Sequence, residues 1–77
     1  MVSLVNVPVG KVVIVKGFAG GRGMVMRLMQ LGIHPGDRIR VLSIAPFGGA
    51  IFIENLTSGG KVAIGRGIAR RIIVDYV

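Results

Sequence analysis

Cysteine and tryptophan are absent from these 77 residues, and histidine occurs once. Without cysteine there is no disulfide, no thiolate chemistry and no sulfur-rich zinc or iron–sulfur site, although the compartment stays open. Acidic residues are scarce: three Asp and Glu stand against ten Lys and Arg, a net charge of +7. That imbalance points to an acidic or polyanionic partner without saying which. Long apolar runs are missing too. A spanning helix needs ~20 apolar residues with few or no charges, whereas the longest charge-free internal stretch, Val41 to Ile53, is broken by Pro46, Gly48 and Gly49. Asn6, Pro8, Gly10 and Lys11 keep the first residues from reading as a signal peptide or an anchor. The expectation is a soluble, cytoplasmic protein with no direct membrane insertion.

What is present is apolar material in excess. Hydrophobic residues make up 52% of the chain and the mean hydropathy is +0.75. A chain of this length forms one small domain, here residues 1–77, and buries only about 60–65% of its unfolded surface. Some apolar surface should therefore remain exposed, for a partner or for a homo-oligomer.

The segment "KVVIVK" (11–16) is rich in β-branched residues and reads as a strand with apolar residues on both faces. "GFAGGRG" follows as a turn. Arg22 to Leu31 carries a helical period, with Met24, Leu28 and Leu31 on one side and Val25 and Met29 flanking them. Gly32 fits a left-handed cap, and Pro35 prevents resumption. "HPGD" is a tight turn, and "DRIRVLSI" leaves it as a strand with Ile39 and Val41 on one face, Arg38 and Arg40 on the other. After the turn "APFGG" come the strand "AIFIENL", the short strand "KVAI", a single helical turn in "GRGIARR" and a last strand, "IIVDYV". Five short strands, one helix and frequent turns predict a mainly β, strongly bent sheet or barrel.

In this order the elements resemble the FeoA family, small cytosolic proteins of bacterial ferrous iron uptake. The matching pieces are "RLMQLGIHPGDRIRV", "APFGGAIFI" and "KVAIGRGIARRIIV". Arg27-Leu28, Leu31-Gly32-Ile33 and Pro35-Gly36 match the helix–turn–strand unit, Ala45-Pro46 with Gly48 the second turn, and Ala69, Ile72 and Val74 the closing segment. The resemblance implies an SH3-like five-stranded barrel with one α-helix and a short helical turn near the C-terminus. It also implies a non-enzymatic accessory protein, without a cofactor, that contacts the cytosolic part of a FeoB-type permease and is recruited through it to the inner face of the membrane. At the closing helical turn, where members often carry Leu-Arg and an acidic residue, this chain has Ile64-Gly65 and then Ile68.

The residues themselves offer little chemistry. A metal site gathers three or four ligands, and here His34 has only Asp37 near it in sequence, with Glu54 and Asp75 elsewhere. General acid–base work would need a second convergent polar group and a pocket, so His34 reads as a turn residue. Met24 and Met29 fall at helical spacing and read as core fillers; Met26, beside Arg22 and Gln30, is expected exposed and available to a partner. "GFAGGRG" lacks the Lys-Ser/Thr of a phosphate-binding loop. The basic residues carry more weight, because arginine outnumbers lysine seven to three and suits bidentate carboxylate or phosphate contacts. Phe47, at a turn tip, is the one aromatic expected to stand in solvent. Met26, His34, Arg38, Arg40, Phe47 and Gly48 are thus the expected partner-binding residues. Two other readings stay open: a basic SH3-like module bound to RNA or the ribosome, and a stand-alone relative of the SH3-like domain of iron-dependent repressors. Nucleic acid is the less favoured partner, since stacking aromatics are few and no second basic helix is evident.

Overall fold

Side-chain alternation decides which side of each strand faces inward, and in the computed structural model, which describes residues 1–77, it builds a single core. The strands are β1 (Val2–Ser3), β2 (Val12–Phe18), β3 (Arg38–Ile44), β4 (Ile51–Asn55), β5 (Lys61–Ile64) and β6 (Ile72–Tyr76). Helix α1 (Arg22–Gln30) joins β2 to β3, α2 (Arg66–Ala69) joins β5 to β6, and a 3-10 turn spans Leu4–Asn6. All neighbours pair antiparallel in the order β1-β6-β2-β3-β4-β5. The sheet does not close, so β1 and β5 are its two edges.

Every second residue of the strands points inward: Val13 and Val15, Ile39 and Val41, Ile51 and Ile53, Ile72 and Val74 are all fully buried. Leu4, Val7, Leu28, Ile33, Ile64 and Ala69 complete the core. Each buried Val, Leu or Ile contributes about 1.5–3 kcal/mol by leaving water. Two irregularities curl the sheet around this core. One lies in β2 between Val15 and Gly17, against β6; the other lies in β3 between Val41 and Ser43, against β4. An inserted residue bends its strand and sharpens the local twist. No helix is long and apolar enough to cross a membrane.

Three details depart from the sequence reading. There are six strands, because Val2 and Ser3 pair with Val74 and Ile73; two residues are too few for alternation to show. β2 runs on to Phe18, because the bulge after Val15 lets Gly17 and Phe18 pair with Ile73 and Ile72. Its outward residues, Val12 and Ile14, are half-buried and so only partly covered.

Met29 is the third departure. It is not a core filler but 41% exposed, and Leu31 is exposed as well. Helix α1 meets the core along one narrow line, Leu28 fully buried with Met24 half-buried four residues before it. The helix ends at Gln30. Its end is a Schellman cap: Gly32 takes a φ of +88°, and the Gly32 and Ile33 N–H groups donate to the Met29 and Leu28 carbonyls, both at 3.0 Å. Buried Ile33 then packs in the same cluster as Leu28.

Candidate docking surface

The β3–β4 hairpin turns at Pro46–Gly49. Ala45 N–H donates to the Ala50 carbonyl at 2.9 Å and Gly49 N–H to the Pro46 carbonyl at 3.2 Å. The two residues between have positive φ, +59° at Phe47 and +72° at Gly48. That is the pattern of a type I′ turn, whose hand matches the strand twist and which favours Asn-Gly or Asp-Gly. Phe47 is the one non-glycine residue of the chain with positive φ, and a bulky side chain there costs about 1–2 kcal/mol. It gains nothing inside the chain in return, because its side chain is fully exposed (104%). Gly49 is fixed by a close approach: a Cβ there would stand 2.7 Å from the Ala45 Cβ.

The surroundings of this tip are apolar and cationic. Leu42, Ile44 and Phe52 are the exposed large hydrophobic residues of the two hairpin strands. Phe52 sits across from Ser43 on β3 and Ala63 on β5, on the outward side. Arg66, the first residue of α2, lies against the tip, since a Cβ on Gly48 would come within 3.6 Å of its Nε. That Nε is buried and has no hydrogen-bond partner. Arg38 and Arg40 project from the exposed side of β3, a strand that runs roughly 20 Å from Arg38 to Ile44.

The two ion pairs of the protein are the N-terminal ammonium with Asp75 at 3.3 Å and His34 with Asp37 at 3.5 Å. Neither uses a lysine or an arginine. Glu54 faces Arg40 on one side and Lys61 on the other in register, yet pairs with neither. None of the ten Lys and Arg is held in an ion pair.

Asp37 works within the fold. Its Oδ2 accepts the His34 N–H at 2.9 Å and the Asn55 side-chain amide at 2.8 Å, and the residue is only 9% exposed. Asn55 Nδ2 also donates to the Gly32 carbonyl, while its Oδ1 accepts the Thr57 and Ser58 N–H groups. Asp37 and Asn55 thus tie together the two turns that flank the start of β3. Burial alone would raise the Asp37 pKa, but the hydrogen bond from Asn55, then that from the His34 N–H and the charge of the nearby imidazole, hold the carboxyl below its ordinary value. A pKa lower in the folded state than the ~3.9 of an unfolded Asp adds stability above that pH, and this is lost as pH falls through 4 and on through the folded value. Thermal melts of wild type and Asp37→Asn across pH 2–6 are expected to show a shallower acid limb in the variant.

His34 itself is a half-exposed side chain on this turn (52%). No three His, Cys, Asp or Glu side chains come together anywhere in the chain. Met26 stands on the outer side of α1, 55% exposed, on a different element from the hairpin. The structure therefore places Arg38, Arg40, Phe47 and Gly48 on one hairpin, His34 at the turn that leads into it, and Met26 apart. Sequence reading overlooked three contributors. Phe52 was legible from the alternation of Ile51 and Ile53. Leu42 was legible too, since it continues the outward side of Arg38 and Arg40, whereas Arg66 was not, because it reaches Gly48 from another element.

Comparison with known proteins places the chain within one group. The FeoA domain model matches residues 2–76. A relative from Methanocaldococcus jannaschii, "Putative Fe(2+) transport protein A", is 39% identical over 66 residues, covering 86% of this chain and 76% of the relative. A crystal structure of an iron uptake regulatory protein (FeoA) superposes with a TM-score of 0.85 at 33% identity, covering 99% of this chain and 96% of that one. A manganese-dependent transcriptional repressor also superposes, with a TM-score of 0.88 at 26% identity; it aligns with 97% of this chain, but that covers 36% of the repressor.

Proposed function

The chain belongs to the FeoA family, a group associated with ferrous iron transport, and from that membership we propose that it is a non-enzymatic accessory protein acting by contact with a FeoB-type permease. The observation that carries this reading is the Phe47 turn. An aromatic ring is held in solvent by a backbone conformation that disfavours it, and strain of this kind collects where a surface has a task to perform. Large exposed aromatics are also the residues that supply most of the energy when an interface forms. The strand behind the turn adds Arg38 and Arg40, and Arg66 stands beside it. Together they suit a partner surface with an apolar socket and carboxylates around it.

The permease's cytosolic part is the proposed site of contact, so the protein works at the inner face of the membrane without entering the bilayer. Iron is the cargo of the system, and nothing in this chain gathers ligands around it. The likeness to a metal-dependent repressor concerns the fold that the two share, since the repressor extends well beyond it.

The arginines give a direct test. The double variant Arg38→Glu/Arg40→Glu should bind detergent-solubilised permease about tenfold more weakly at low salt, and its affinity should vary less with salt than that of wild type. Surface plasmon resonance over 50–500 mM NaCl reads both quantities. An unchanged affinity would remove this face from the interface. Tight binding of the wild-type protein to RNA, with a steep slope of log affinity against log salt, would favour the nucleic-acid reading instead.

A further inference from the structure

The open edge of the sheet carries a second feature, at the opposite end of β4 from the Phe47 turn. β5 ends the sheet, with β4 on one side and no strand on the other. Its register against β4 runs without a shift from Lys61 to Ile64. The Asn55 N–H donates to the Gly60 carbonyl at 2.7 Å. In an antiparallel ladder the bonded residues alternate, so Gly60, Val62 and Ile64 turn their backbone groups towards β4. Lys61 and Ala63 then direct two N–H and two C=O groups outwards. Natural sheets blunt such edges with prolines, bulges or charges. This edge has no proline and no bulge; its shortness, four residues, and Lys61 are the devices it does carry. A Cβ added at Gly60 or Gly65, on either side of the strand, would meet no atom within 4 Å, so another backbone can approach.

Directly beside the edge is a cavity of about 90 Å³, lined by Leu31 and Ile33 at the end of α1 and by Lys61 and Val62 of β5. A single water needs only ~10–15 Å³ of such space, so there is room for a short aliphatic side chain. An organic cofactor needs ~300 Å³ or more. The two features are complementary. A strand laid along β5 would alternate its side chains across the sheet, one set meeting the cavity beside Val62 and the other lying alongside Lys61.

We propose that the β5 edge is a strand-addition site for an extended, acidic segment of a partner polypeptide, which docks an aliphatic side chain in the cavity and a carboxylate at Lys61. Charge decides between this occupant and a second copy of the chain. The chain carries a net +7 and its lysines and arginines are unpaired, so edge-to-edge pairing of two copies sets like charge against like. An alternating acidic and aliphatic segment meets Lys61 and the cavity together. The site lies at the other end of β4 from the Phe47 turn, although it shares that end with Arg38 and Arg40, so the Phe47 ring is what distinguishes the permease reading from this one.

The probe is the synthetic peptide Glu-Val-Glu-Ile-Glu-Val, blocked at both ends, titrated into the ¹⁵N-labelled full chain. Amide hydrogen exchange at Lys61 and Ala63 should slow at least tenfold on binding, while Phe47 and Arg40 stay unchanged. The same peptide with Lys in place of Glu should bind at least tenfold more weakly. Ala63→Pro removes an outward N–H, a substitution that sheet edges tolerate, and should weaken binding by a similar factor. A peptide N-methylated on the face turned to β5 tests the same bonds with the protein unaltered, and should fail to bind. The proposal is overturned if exchange at Lys61 and Ala63 is unmoved by millimolar peptide, or if the Lys peptide binds equally well. It is also overturned if these amides become protected with rising protein concentration alone, which would give the edge to a second copy.

Discussion

Phe47→Asn is expected to raise the melting temperature of the free protein by about 5 °C, and to weaken its binding to the permease about thirtyfold. The two effects have one origin. At position 47 the backbone is left-handed, with φ at +59°, and Asn followed by Gly is the pair that this type of turn prefers. Asparagine removes most of a strain of about 1–2 kcal/mol, and for a domain of this size each 1 kcal/mol moves Tm by roughly 4–8 °C. It also removes a ring that is fully exposed and contributes nothing to the core. In the complex the account is reversed. An aromatic anchor truncated at the centre of an interface costs about 2 kcal/mol or more, which is a factor of roughly 30 in affinity. Calorimetry of the free protein and a binding titration with solubilised permease measure the two effects separately. A variant that is less stable and binds equally well would mean that Phe47 serves the fold.

Asn55→Ala is expected to produce the largest loss of stability of any polar substitution, about 3 kcal/mol, of the roughly 4–11 kcal/mol that a chain of this length commands. One buried side chain makes four hydrogen bonds, two from its amide to Gly32 and Asp37 and two to its carbonyl oxygen from Thr57 and Ser58. Each is worth about 1 kcal/mol net. Truncation also leaves the Asp37 carboxylate, 9% exposed, with the His34 N–H as its one remaining close donor. Asp37 would then lose the strongest of the contacts that lower its pKa. With its folded pKa brought back towards the unfolded value, Asp37 contributes less to the loss of stability in acid, so the acid limb should be shallower as well as starting from a lower value. Urea unfolding at pH 7 and at pH 4 reads both. Because the Asn55–Gly59 turn also holds the start of β3, through the Leu56 N–H to the Arg38 carbonyl at 2.7 Å and the Arg38 N–H to Thr57 Oγ1 at 2.9 Å, the same variant should loosen the presentation of Arg38.

How much of this could be read in advance depends on the range of the interaction. Alternation is local: in Arg38–Ile44 it separates Ile39 and Val41 from Arg38 and Arg40, and in Ile51–Asn55 the structure repeats it, with Ile51 and Ile53 buried and Phe52 outward. The end of α1 was equally plain, because Gly32 and Pro35 act on their own neighbours. Phe47 at a tip between Pro46 and Gly48 was legible for the same reason. What failed was longer in range. A two-residue strand at Val2–Ser3 has no period, and only the closing strand, through Val74 and Ile73, gives it a partner. Met29 has the right spacing for a core residue, but α1 meets the core only along Leu28 and Met24, and Met29 lies off that line. The tie between Asp37 and Asn55 spans 18 positions, as does the approach of Arg66 to Gly48. Neither has a signature in either segment alone. Bulges at Val15–Gly17 and Val41–Ser43 are invisible for a related reason: the extra residue is extra only relative to the partner strand.

The measurement that tests the proposed function most directly is affinity purification of the tagged chain from its native host, in nuclease-treated extract containing solubilised membranes, with wild type and Phe47→Asn processed in parallel. A FeoB-type permease should be enriched with wild type, and most of it should be lost with the variant. Recovery of ribosomal or nucleoid proteins that disappear on nuclease treatment, with no permease in either sample, would contradict it and make the net charge of +7 the functional signal.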